Sequence, residues 1–130
     1  TYQTPRKGDL VLFCPPDAPL FHDAMRYHLL SSGLCLSGFG YLLKRIAAVE
    51  GDIVGISAAG VEVNGVMLKN SERQTIFYPR PLTPDMHRRL KAHEVLLMSP
   101  HPFSFDSRYF GPLSDDCICT PLEPFYLLEE

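Results

Sequence analysis

Asn64-Gly65, set between Val61-Glu-Val and Val-Met-Leu68, leaves little choice of local structure. The flanking residues favour strands. The Asn-Gly pair accepts the positive φ values that a two-residue hairpin turn demands. The middle of the chain is therefore committed to antiparallel pairing. Twelve prolines in 130 residues point the same way, because proline interrupts helices and is tolerated at turns and strand ends.

Other elements group around this hairpin. Residues 8–13 read as an apolar strand that Cys14-Pro15-Pro16 ends. Asp17 is placed to cap a helix over roughly residues 20–30, with Phe21, Met25, His28 and Leu29 at helical spacing and Gly33 closing it. Residues 37–40 form a turn and 41–49 a strand, and Glu50-Gly51-Asp52 turns the chain into a strand over 53–57. Residues 71–84 are irregular. Thr83-Pro84-Asp85 has the cap-then-proline order of a helix start, so a second short helix is expected there. Residues 94–99 read as a strand, 104–110 as extended, and 117–120 as a last short strand. The expectation is one mostly β, antiparallel domain over residues 1–130 with two short helices.

Composition excludes several classes. Apolar residues make up 45% and charged residues 21%, the balance of a folded domain and not of a disordered chain. A net charge of −3 carries no basic footprint, so no nucleic-acid partner is expected. The longest uncharged run, residues 27–43, contains Ser31, Ser32, Gly33, Ser37, Gly38 and Gly40 and is too polar and too short to span a bilayer. No signal-peptide pattern is visible, and Thr1 opens as though inside a structural unit. The chain is therefore expected to be a soluble piece of a longer protein.

The four cysteines, Cys14, Cys35, Cys117 and Cys119, include no Cys-x-x-Cys pair. Their spacing is not that of a zinc site, and neither a metal nor a cofactor is expected. Buried free thiols are one reading. A Cys14–Cys35 disulfide is the other, and in an oxidising compartment it would contribute about 3 kcal/mol. Spacing alone does not fix the pairing. Cys117 and Cys119 lie two apart on an expected strand and so share a face. His22, His28, His87, His93 and His101 form no metal or triad motif and read as structural or surface residues.

Two clusters carry potential chemistry. Lys44 has Leu42 and Ile46 as its face-mates on a strand. A lysine desolvated on an apolar face loses preference for its charged form, and a neutral lysine can take the proton of a serine hydroxyl. Taken alone, a lysine that snorkels its charge to water explains the same pattern. In Ser104-Phe105-Asp106-Ser107-Arg108, an extended segment puts Ser104, Asp106 and Arg108 on one face. Asp106 and Arg108 then form either a buried hydrogen-bonded pair or an ordinary surface ion pair.

Together the clusters resemble a known family. Leu43-Lys44-Arg45-Ile46, followed by Gly51-Asp52, resembles the lysine box of type I signal peptidases. Ser104-Phe-Asp106-Ser107-Arg108-Tyr-Phe-Gly111 resembles their Ser-x-Asp-Ser-Arg-aromatic-x-Gly box, and Val63-Asn-Gly65 lies between the two as it does in that family. Phe13-Cys14-Pro15-Pro16, Gly33-x-Cys35 and the Tyr109-Phe-Gly-Pro112 ending resemble the TraF-type transfer peptidases. The resemblance implies a signal-peptidase/LexA-like β fold and a Ser/Lys dyad. Lys44 would be the general base and Ser104 would orient its ammonium. Asp106 and Arg108 would hold the strand carrying Lys44, with Asp106 acting more directly in this subfamily. Ser107 supports that box, and Arg45, on the opposite face, is structural. The substrate class implied is an exported precursor such as a pilin. The partners are the conjugation machinery and, through an N-terminal anchor, the inner membrane, with the domain facing the periplasm. Phe39, Tyr41 and Leu34-Cys35-Leu36 are candidates for a rim touching the membrane surface.

The sequence departs from the family in two places. Tyr2 resembles the closing tyrosine of the Ser-x-Pro-x-Gly-x-Tyr nucleophile box, whose serine would lie ahead of Thr1. As given, the chain is expected to be inactive. Met98-Ser99-Pro100-His101 stands where the housekeeping enzymes carry Gly-Asp-Asn-Arg. The competing readings are a LexA-like self-cleaving domain, against which a Cys14–Cys35 disulfide would count, and a non-catalytic binding module on the same fold.

Overall fold

The computed structural model describes residues 5–74 and 83–121, without the side chains of Thr120 and Pro121. Tyr2 and most of the segment expected to be irregular lie outside the described residues. Nine strands and two helices are described: β1 (Leu10–Phe13), α1 (Pro19–Arg26), β2 (Leu42–Ala48), β3 (Ile53–Ser57), β4 (Gly60–Val63), β5 (Val66–Met67), β6 (Met86–Arg89), β7 (Glu94–Met98), α2 (Ser107–Phe110), β8 (Leu113–Ser114) and β9 (Ile118–Pro121). A single 3-10 turn, Asp115–Cys117, precedes β9.

One sheet has the order β8-β7-β2-β1-β9 and the other β5-β4-β3-β6. Their pairings are antiparallel. The hairpin forms as the sequence expects, with Asn64 at φ 51° and Gly65 at φ 83°. The Asn64 side chain also works: Oδ1 accepts from the Ile53 amide at 2.9 Å and Nδ2 donates to Asp52 at 3.0 Å. Asp52 in turn accepts from the Val49 amide at 2.9 Å and from Lys7 at 3.2 Å. One carboxylate thus ties the β2–β3 turn to the hairpin turn.

β7 explains why its sequence is an unbroken apolar run. Val95 and Leu97 pack into a cluster with Val11, Phe13, Phe21, Ile46, Phe105 and Phe110, while Leu96 and Met98 pack into a second with Val54, Ile56, Val61 and Leu90. The strand separates two cores, and alternate side chains feed each one. The register of β2 on β7 shifts between Ile46 and Ala48. This irregularity lets residues two apart on β2 serve different cores.

Three local expectations need correction. First, α1 ends at Arg26 and not near residue 30, because His28 takes the left-handed conformation at φ 62°. It is also not capped by Asp17. Ala18 occupies the cap position, Pro19 opens the helix, and Asp17 contacts His22 at 2.6 Å. Second, no helix follows Thr83-Pro84-Asp85. Met86–Arg89 pairs with β3 as a strand, and cross-strand bonding overrides the local helix signal. Third, residues 104–110 are not extended throughout. Ser107–Phe110 is one helical turn capped by Asp106, whose side chain accepts from the Arg108 amide.

Candidate active site

Lys44 sits on β2 between β1 and the end of β7. It is 6% exposed, on the same face as Leu42 and Ile46, both of which contact the first core. The snorkelling reading fails for a side chain this buried. Its Nζ donates to Ser104 Oγ at 2.5 Å across 60 residues of sequence. The two clusters singled out in the sequence meet at that bond.

Asp106 and Arg108 are both fully buried. Arg108 grips the carboxylate with two parallel bonds, Nε to Oδ1 at 2.7 Å and Nη2 to Oδ2 at 2.8 Å. Such a bidentate, charge-assisted pair is both strong and orientation-specific. The carboxylate also accepts from the Ser99 amide at 3.0 Å and from the Arg108 amide at 3.1 Å. The remaining guanidinium donors reach the carbonyls of Asn70, Glu72, Pro102, Ser99 and His101. One arginine therefore fastens the 99–102 turn, the 70–72 segment and α2 together. The surface-pair reading is excluded by burial.

This geometry refines two expected roles. Asp106 and Arg108 hold the residues just past β7, and β7 pairs with β2 through Arg45↔Met98, next to Lys44. Their connection to the lysine strand therefore runs through its neighbour, β7. Ser107, also fully buried, accepts from the Leu97 amide at 2.9 Å and fixes α2 to β7. Arg45 is exposed on the opposite face and donates to the Gly8 carbonyl at 3.2 Å.

α2 is anchored from its other side by rings. Phe110 lies 5.2 Å from both Phe21 and Phe105 and 6.0 Å from Phe13, which joins α1, α2 and β1. No local pattern marks Arg73, a lone basic residue in a polar segment. It is buried, donates to the Arg108 carbonyl at 2.7 Å and pairs with Asp85 at 2.9 Å. Beside it the Gln74 amide donates to the Tyr109 hydroxyl at 2.6 Å. Burial pushes the Tyr109 hydroxyl up, against the opposing pull of the Gln74 bond.

Cys14 and Cys35 form a disulfide, so of the two readings of these cysteines the bridge holds. Of the expected rim, Leu34, Leu36 and Tyr41 are exposed, but Phe39 is 1% exposed and belongs to the core. Its packing against Phe21 removes it from any surface role. Among the described residues no three His, Cys, Asp or Glu side chains gather as metal ligands, and no helix is long and apolar enough to cross a membrane.

Known proteins resemble this chain in sequence and in fold. The profile of the signal peptidase family, peptidase S26, matches residues 1–125. A plasmid transfer protein TraF of Escherichia coli is 40% identical over 122 residues, covering 91% of this chain and 69% of that protein. A conjugal transfer protein TraF of Agrobacterium tumefaciens strain 15955 is 34% identical over 120 residues, covering 92% and 68%. The crystal structure of a signal peptidase I from Enterococcus faecalis V583 superposes with a TM-score of 0.51 at 16% identity, over 95% of this chain and all of that one, a likeness of fold. With Lys44, Ser104, Asp106 and Arg108 assembled on that fold, the chain belongs to the signal peptidase family, peptidase S26, as a TraF-type member.

Proposed function

We propose that this domain is the catalytic part of a serine endopeptidase that processes an exported precursor, such as a pilin subunit, during conjugative transfer. The observation that carries the reading is the buried Lys44 Nζ held by Ser104 Oγ. The hydroxyl keeps the buried nitrogen aimed, and an amine held in this way is placed to exchange a proton with a neighbouring serine. Lys44 would remove the proton of a serine hydroxyl. That oxygen attacks the scissile carbonyl, and Lys44 returns the proton to the leaving amine, giving an acyl-enzyme. Lys44 then deprotonates a water that releases the acyl group. The nucleophile is a serine of the family box that closes at Tyr2, ahead of Thr1.

Substrate would bind by strand addition. The β1–β2 ladder runs through Leu42, whereas the β2–β7 ladder starts at Arg45. That register favours the β7 side of Leu42–Lys44 as the place where an extended segment pairs. The Cys14–Cys35 disulfide fits a domain on the periplasmic face of the inner membrane and disfavours a cytoplasmic LexA-like repressor. Asp106, fully buried under Arg108, is read as a positioning residue and not as a group that touches substrate.

The same 2.5 Å bond favours a second reading, in which Ser104 is itself the nucleophile. In the full-length protein, replacing the serine ahead of Tyr2 by alanine should abolish precursor cleavage, while Ser104→Ala should lower the rate and leave some activity. Complete loss with Ser104→Ala, and full activity without the upstream serine, would select the second reading.

A further inference from the structure

β9 brings a third sulfur to the Cys14–Cys35 disulfide. β1 and β9 pair through Phe13↔Ile118, and the Cys14 amide donates to the Cys117 carbonyl at 2.9 Å. This register puts Cys119 Sγ 3.4 Å from Cys14 Sγ, across 105 residues of sequence. Cys119 is exposed and carries a free thiol. A thiol in contact with one sulfur of a disulfide is placed for exchange, which proceeds by thiolate attack on that sulfur.

We propose that Cys119, Cys14 and Cys35 form an intramolecular thiol–disulfide exchange site. The Cys119 thiolate attacks Cys14 Sγ, a Cys14–Cys119 bond forms, and Cys35 leaves as the thiolate and takes up a proton from water. The number of disulfides is unchanged, so no oxidant or reductant is consumed. The domain then has two covalent states. In one, the end of β1 is tied to the loop carrying exposed Leu34 and Leu36; in the other, it is tied to β9.

Two features make the step reversible. Ser37 Oγ donates to the Pro15 carbonyl at 2.8 Å, and Phe39 is held in the core, so the loop keeps Cys35 near Cys14 after release. Return attack is then intramolecular, at high effective concentration. Cys117 is the poorer nucleophile: burial, then the neighbouring Asp116, pushes its thiol up and away from the thiolate.

The test uses full-length Cys117→Ser protein, which leaves Cys14, Cys35 and Cys119 of the four cysteines in this domain. After incubation at pH 8 without reductant, acid quench and alkylation, peptide mass spectrometry should find Cys14–Cys119 alongside Cys14–Cys35, with a matching fraction of alkylated Cys35. Adding Cys119→Ser should remove that linkage. A Cys14–Cys119 signal no higher than in the Cys119→Ser control overturns the proposal. Cys35→Ser in the Cys117→Ser background, given oxidised glutathione, should form Cys14–Cys119. Recovery of Cys14 as its glutathione adduct instead also overturns it.

Discussion

Arg108→Met is the most informative perturbation of the scaffold. Methionine fills much of the same volume but removes the charge that grips the Asp106 carboxylate with two bonds. Both partners are fully buried, so the carboxylate cannot turn to water. Orphaning one member of a buried ion pair costs about 3–5 kcal/mol. Of the five carbonyls that lose Arg108 as donor, the Ser99 bond is the buried one and adds roughly 1 kcal/mol. The total, about 5 kcal/mol, is a third or more of the stability of a typical domain. It corresponds to a fall in Tm of roughly 20 °C. Urea unfolding of oxidised protein, followed by far-UV circular dichroism because the chain has no tryptophan, measures it. If the orphaned charge dominates, adding Asp106→Asn should recover about 1–2 kcal/mol. A single-variant cost under about 1 kcal/mol, or a double variant at the sum of the two singles, would refute this reasoning.

Two further predictions concern the frame. Arg73→Met should cost about 1–2 kcal/mol, less than Arg108→Met, because its acidic partner Asp85 is largely exposed and rehydrates while the Arg108 carbonyl loses a donor; equal costs by urea unfolding would contradict that ranking. The domain should also lose stability in acid through identifiable carboxyls. The Arg88 guanidinium holds Glu94 below the ordinary carboxylate range despite burial. Burial alone would raise Asp52, but the Val49 amide, the Asn64 side chain and Lys7 outweigh it and leave it lowered. Groups lowered in the folded state stabilise it above their unfolded pKa values, and that stability is lost as pH falls through the folded values. Glu94→Gln should therefore flatten the acid limb of stability against pH. An unchanged limb would remove Glu94 from the explanation.

Much of this was legible because local signals and tertiary pairing agreed. The Asn64-Gly65 turn, the strand of Lys44 and the apolar run of β7 each carry a period or turn signal that the sheet then satisfies. The Lys44–Ser104 contact was legible only through motif order, since 60 residues separate the partners and no local pattern joins them. Sequence reasoning failed where pairing or capping competed with a local cue. Thr83-Pro84-Asp85 carries a helix start, yet β3 needed an edge partner and Met86–Arg89 supplied it. The segment holding Asp106 alternates like a strand, yet the Asp106 side chain caps a helical turn. Arg73 was illegible, because a lone arginine becomes structural only through carbonyls that the fold brings to it.

The proposed catalysis stands or falls with Lys44 as the general base of a peptidase. The direct measurement is precursor cleavage by the full-length protein with and without Lys44→Met, which keeps the length and apolar contacts of the side chain. Cleavage should be lost while unfolding remains cooperative and far-UV circular dichroism is unchanged. Cleavage near the unsubstituted rate would contradict it, because a group other than Lys44 would then be the base.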